Sequence, residues 1–375
     1  MWYHTSVSFR PLMGKIPLEE IKGVFVIDPQ PAILPEFPAA AVKERMCQVL
    51  TTYNHDIDEV LQYVMEGGGK MLRPRLVYLC SSLGQCEPDT VLDIAVAIEL
   101  IHLASLAHDD VIDESLVRRG RPSLNHAFGN QVSVLAGDYL FAAAFNLINL
   151  HGLQEIMDSV TTTIQIMCSG EIKQLGLLYD WRISEEDYYE KSFRKTACLF
   201  ASSCKVGAIA AHLPAEQVRY LEQFGLCAGY AYQIIDDVLD FVADSESLGK
   251  PSGHDLLQGN ITLPVILALK NEKTRKHLCT LLQREEYDTD LLAEVMQLLV
   301  ESGALKESIL SSRFFLQHGL SYLDRLPRGT AVQQLRELAI YLLEGYYSQL
   351  KTWQDESEGY LYAPANETGI QPYTS

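Results

Sequence analysis

The chain has 375 residues, 47% of them hydrophobic, and a formal net charge of −19. That length supplies core for one large domain or two smaller ones, and the acidic balance argues against a nucleic-acid partner, which needs a basic face. Eight cysteines stand in apolar surroundings without a Cys-x-x-Cys pair, which argues against a zinc site and suits reduced core thiols.

Residues 1–38 carry six prolines from Pro11 to Pro38, a density that predicts an irregular N-terminal arm. Neither a secretory signal nor an organellar transit pattern is visible there. No apolar run approaches the ~20 residues of a membrane helix, so a soluble, cytoplasmic protein is expected. Residues 39–350 read as one all-α domain. Stretches such as 91–108, 131–150, 158–178 and 218–241 are apolar on most faces, as inside an antiparallel bundle. Alternating short strands are not expected. Residues 351–375 are polar with Gly and Pro and predict a loose tail.

Two acidic clusters stand out. "DDVID" (109–113) and "DDVLD" (236–240) lie 127 residues apart, each at the end of a long apolar helix. In a 3.6-residue helix the first and last Asp of each share a face and the middle one turns away. Negative charge at a helix C-terminus opposes the macrodipole, so stability alone does not account for two such clusters. Hard carboxylate oxygens without Cys or His suit Mg²⁺, which binds through one or two carboxylates plus substrate phosphates. "ELIH" (99–102) offers a di-iron alternative, but such sites need a second copy and matching glutamates.

Cations accompany the clusters. "EGGGKMLRPRL" (66–76) sets Lys70 and Arg73 at a helix start, where backbone N–H groups favour anions. It lacks the spacing of a Walker A loop. Arg118 and Arg119 follow the first cluster, Lys195 and Thr196 sit in "FRKTACLF", and Lys250 closes "DSESLGK". In so acidic a chain they suggest two phosphate sites, one bridged by metal and one held directly.

"GGKMLRP", "IELIHLASLAHDDVIDESLVRRGRPSLN", "LAGDYLFAAAF", "SGEIKQL", "RKTACLF", "YQIIDDVLDF" and "LGKPSGHDLLQGNITLP", in this order, resemble the trans-isoprenyl diphosphate synthases, especially the long-chain polyprenyl type, across roughly residues 40–345. The resemblance implies an isoprenoid-synthase-type helical bundle around a deep central cavity. It implies Mg²⁺-dependent head-to-tail condensation of isopentenyl diphosphate onto an allylic diphosphate, using three Mg²⁺ ions. Asp109, Asp113, Asp236 and Asp240 would hold metal, supported by Asp110 and Asp237. Arg118, Lys195, Thr196, Gln233 and Lys250 would contact the allylic diphosphate, and Lys70, Arg73, His102 and Arg119 the isopentenyl one. A homodimer is implied; a heteromeric assembly stays open, as does transient membrane contact for release of a greasy product.

An isoprene unit is ~5 Å, about one helical turn, so the product should grow past Ser105 and Ala104, four and five residues before Asp109. Small residues there predict a long product, roughly six to ten units by family analogy, with Phe141 or Phe145 as deeper floors. Two departures from the family pattern stand out: Met71 where a basic residue is frequent, and no arginine near the end of 341–350. A short-chain synthase, a class I terpene cyclase and a subunit of a heteromeric synthase remain alternatives.

Overall fold

The computed structural model describes residues 36–67, 69–242, 253–284 and 287–342. Lys250, most of the proline-rich arm and the polar tail lie outside them. Within the described residues the chain is helical nearly throughout, beginning with α1 (Ala39–Leu50), α2 (His55–Glu66) and α3 (Leu72–Ser81). A central group comes next: α4 (Pro88–Ile112), the short α5 (Leu124–Phe128), α6 (Asn130–Leu150), α7 (Gln154–Leu175), α8 (Glu185–Ser192), α9 (Cys198–Ala210) and α10 (Ala215–Val242). After α10 come the four-residue α11 (His254–Leu257), then α12 (Leu263–Lys270), α13 (Glu272–Leu281), α14 (Thr289–Ser302) and α15 (Ala304–Leu323), with further helix over 330–342.

Local chemistry sets the boundaries. Asn54 caps α2 by accepting from the Asp56 amide, and Asp288 caps α14 by accepting from Leu291. Ser184 and Asp187 form a reciprocal capping box at the start of α8. Gly303, in the left-handed conformation that glycine tolerates, both ends α14 and begins α15.

α4 is the central post of the core. Ile94, Ala97, Ile98, Ile101 and Ala104 are buried with Leu140, Ala144 and Ile148 of α6 and with Leu199 and Val206 of α9. At the far end of α4, buried Asp93 accepts from Arg45 of α1 at 2.7 Å and pairs with His151, just past α6, at 2.8 Å.

Two features differ from the sequence expectation. By length and composition α4 and α6 both meet the criterion for crossing a membrane, because a few interrupting polar residues do not erase their mean hydropathy. α4 is mostly buried by its neighbours, whereas α6 leaves Val134, Leu135, Tyr139 and Leu150 exposed. A small hairpin is also present, with Val117–Arg118 antiparallel to Arg121–Pro122. Its two turn residues, Arg119 and Gly120, both have positive φ, the primed-turn pattern that matches strand twist. An Arg-Gly pair is a weak turn signal, which is why pattern reading passed over it.

Candidate active site

The first acidic cluster closes α4, and its three carboxylates have three environments. Asp110 is buried, and Arg118 Nε and a terminal guanidinium nitrogen both lie 2.7 Å from its Oδ1. Asp109 is half-buried. Burial lifts its carboxyl to about 7, with Glu171 and Asp113 adding repulsion and Lys195 and Arg118 opposing the shift. Asp113 caps the helix; its amide donates to the Asp109 carbonyl at 2.8 Å, and its own carbonyl accepts from Gln258 Nε2 at 3.5 Å.

The second cluster lies near the end of α10. Asp236 is exposed and Asp237 is buried, with only 3% of its surface open. Asp237 accepts from the Tyr188 hydroxyl at 2.6 Å and from Gln233 Nε2 at 2.7 Å. Thr196 Oγ1 donates to Gln233 Oε1 at 2.5 Å, so two of the expected diphosphate-binding residues meet in one chain of hydrogen bonds. Burial, then Asp255, raises the Asp237 carboxyl to about 7 against the pull of Lys191. Asp240 is also buried, and its Oδ2 accepts from the Asp255 amide at 3.0 Å, which ties α10 to α11.

Lys195 and Thr196 stand on a π-helical turn, Phe193–Ala197, between α8 and α9. Such a turn adds a residue per cycle and re-aims the side chains it carries. Gly170 of α7 lies where a Cβ would strike the Arg194 side chain, so glycine lets α7 approach and brings Glu171 beside Lys195. Burial opposes charge on Lys195, but Glu171, Asp109, Asp113 and Asp255 outweigh it and hold the ammonium above its ordinary value. A fully charged lysine therefore faces the first acidic cluster.

The basic side is built from α3, α4 and the hairpin. Arg73 lies 4.9 Å over the Phe200 ring, and its buried Nε has no hydrogen-bond partner among the described residues. Burial, then Arg73, Arg119 and Arg118, push the His102 imidazole well below its ordinary range, so it is neutral. Arg119, turned by its left-handed backbone, donates to the Gly67 carbonyl at 3.1 Å. Lys70 is exposed and lies 5.7 Å from the Tyr341 ring. Lys70, Arg73, His102 and Arg119 thus gather at one end of the site, whereas Arg118 is committed to Asp110.

Below Asp109 the two small residues separate. Ala104 has no open surface and belongs to the core. Ser105 is half-buried, on the Asp109 face of α4, with its hydroxyl turned back to the His102 carbonyl at 2.8 Å. Phe141 and Phe145 stack at 6.4 Å and pack against the same core, with His108 5.8 Å from Phe141.

Sequence reasoning missed Glu99 as a countercharge, along with Glu171, Tyr188, Lys191 and Gln258. Glu99 is buried, and burial raises its carboxyl against the pull of Arg73 and Arg119. Tyr188 and Lys191 lie one to two turns before Lys195, a spacing that could have flagged them once Lys195 was suspected. Among the described residues no group of three or more His, Cys, Asp or Glu could hold a metal by itself. That donor set, single hard carboxylates on two separate clusters, fits Mg²⁺ completed by substrate phosphates.

Comparison with known proteins agrees with this geometry. Residues 54–299 match the Polyprenyl synthetase family. Heptaprenyl diphosphate synthase component 2 of Geobacillus stearothermophilus is 38% identical over 303 residues, covering 81% of this chain and 94% of that protein. The chloroplastic solanesyl diphosphate synthase 2 of Arabidopsis thaliana is 36% identical over 310 residues, 81% of this chain and 73% of its own. The crystal structure of a polyprenyl synthase from Caulobacter crescentus, complexed with calcium and isoprenyl diphosphate, superposes with a TM-score of 0.77 at 30% identity, covering 81% and 94% of the two chains. With that family match over most of its length and a relative 38% identical across 81% of it, the chain belongs to the polyprenyl synthetase family.

Proposed function

We propose that the protein condenses isopentenyl diphosphate head-to-tail onto an allylic diphosphate to build a long trans-polyprenyl diphosphate. The observation that carries this reading is the pairing of acidic clusters at the ends of α4 and α10 with the separate arginine-lined end. Two anionic substrates need two unlike diphosphate sites. Asp109, Asp113 and Asp236 would hold Mg²⁺ on the allylic diphosphate, and bound Mg²⁺ would neutralise charge on that leaving group. Lys195 donates a fixed positive charge to the same group, and the Thr196–Gln233–Asp237 chain holds the α10 side in register. Lys70, Arg73, Arg119 and neutral His102 hold the isopentenyl diphosphate.

Ionisation of the allylic C–O bond leaves a cation at C1, which the isopentenyl double bond attacks. Departing diphosphate then accepts the proton. Holding both substrates in line contributes up to about 7–11 kcal/mol in well-aligned cases, and the preorganised charges add several kcal/mol more.

The half-buried Ser105 opens the Asp109 face of α4 to a growing chain, and the stacked Phe141–Phe145 pair is the proposed deeper floor. The exposed apolar face of α6 is the proposed seat of a second chain. A copy of this protein is the first reading, and the relative's description as component 2 of a synthase favours a heteromeric partner as the second. Incubation with farnesyl diphosphate, labelled isopentenyl diphosphate and Mg²⁺ tests the reading. A ladder ending at one long product, abolished by EDTA, is expected. Folded protein that elongates neither alone nor with a partner subunit would overturn it.

A further inference from the structure

Lys191 has no part in the proposed reaction, yet it is a half-buried, well-connected cation near the second cluster. Its ammonium donates to Asn260 Oδ1 at 2.7 Å and to the Ile261 carbonyl at 2.9 Å, and lies 5.6 Å over the Tyr188 ring. Tyr188 in turn holds Asp237. The turn that Lys191 grips, residues 253–261, is fastened at its other end by Asp240. The Asp240 carbonyl accepts from Gly253 and its Oδ2 accepts from Asp255. Between the two anchors the Asn260 amide donates to the Asp255 carbonyl at 2.8 Å, and the Gly259 carbonyl accepts from Tyr179 at 2.8 Å. The same turn presents Gln258, whose side chain reaches the Asp113 carbonyl at the end of the first cluster.

We propose that Lys191 is a positioning residue that sets the spacing of the two aspartate clusters by clamping the 253–261 turn against α8. A lysine has three donors on one compact head, and two of them here hold consecutive residues of the turn. The turn then touches the second cluster through Asp240 and the first through Gln258. A shift of the clamp reaches both ends of the allylic site, whereas Lys70 and Arg73 lie on α3 or just before it, outside this chain of bonds. The inference rests on the allylic-diphosphate reading of those clusters.

Lys191→Met should raise KM for the allylic diphosphate, and the Mg²⁺ concentration for half-maximal rate, by about 5–20-fold. KM for isopentenyl diphosphate should stay within about 2-fold. Hydrogen exchange of peptides covering 253–261 in metal-free protein should speed by about 10-fold. Lys191→Arg, which keeps the donors, should recover much of both changes. Asn260→Ala should repeat them at smaller size and serves the test if Lys191→Met does not fold. Equal rises in both KM values, or unchanged exchange with only a lower melting temperature, would reduce Lys191 to a packing residue and sink the idea. Failure of the function itself is read separately, from a wild-type protein that does not elongate.

Discussion

DDVID and DDVLD are almost the same five letters, yet the fold treats them differently. In both, the first aspartate keeps open surface and the middle one is buried. Asp110 is neutralised by an arginine on the neighbouring hairpin, whereas Asp237 is held by the uncharged hydroxyl of Tyr188 and the amide of Gln233. The last aspartates diverge further. Asp113 ends its helix and stays half-exposed, but Asp240 is buried in a helix that runs to Val242 and anchors a turn. A repeated motif therefore gives the first two positions like exposure in both helices, open then buried. The third position is decided by what lies around each helix end: Asp113 stands at the C-cap, whereas Asp240 meets Gly253 and Asp255.

The comparison can be broken most directly at the first position of each cluster. Asp109→Ala and Asp236→Ala should each lower elongation by roughly 10²–10³-fold or more, read as labelled isopentenyl incorporation. A loss at one and near-normal turnover at the other would show that only one cluster carries the leaving group.

The buried pair comes next. Asp110→Ala strands Arg118 and should cost about 3 kcal/mol, the low end for a broken buried ion pair because Arg118 keeps about a third of its surface open. Asp237→Asn keeps the shape and one acceptor oxygen, so its cost should be smaller, about 1 kcal/mol. Denaturant midpoints measure both, and the reverse order would mean that the hydroxyl and amide hold their carboxylate more tightly than the arginine does.

Product length separates the two small residues of α4. Ser105→Phe should shorten the longest product with little change in stability, while Ala104→Phe overpacks a sealed core at about 1–3 kcal/mol. Chromatography of the prenyl chains beside a melting curve distinguishes them. Shortening by Ala104→Phe alone would move the tunnel to the other side of the helix.

A separate effect is on pH. Asp109 and Asp237 both titrate near 7 in the folded protein, against about 3.9 when unfolded. The native state therefore binds more protons between these values, and metal-free stability should fall as pH rises from about 4 to 7, levelling above. Mg²⁺ with an allylic diphosphate analogue should reverse the trend, because it binds the ionised carboxylates. A melting temperature flat across that window without metal would place both groups in ordinary solvent.

Much of this site was legible in the amino-acid order alone. Apolar helices ending in paired aspartates, and the cations of "GGGKMLR", "RRG" and "RKT", are local signals, because helical periodicity and charge placement are properties of a few consecutive residues. The division of labour among those residues was not. Arg118 follows the first cluster in sequence, but only the primed hairpin turn shows that it folds back onto Asp110. Ala104 and Ser105 are adjacent letters, and only helix rotation against α6 and α9 seals one and opens the other. Nothing in the letters around Lys191 marks it out, because its partners Asn260 and Ile261 lie about seventy residues away.

The sequence by itself determined the all-α fold, the two acidic helix ends and the basic loops that make the candidate site, and which family the chain joins. Each of these is a short-range pattern. Which aspartate keeps open surface, which cation is committed to structure, and how far apart the clusters stand were decided by tertiary structure, because they depend on contacts between separate elements, from 8 positions apart for Arg118 and Asp110 to 145 for Gln258 and Asp113, which no helical periodicity encodes.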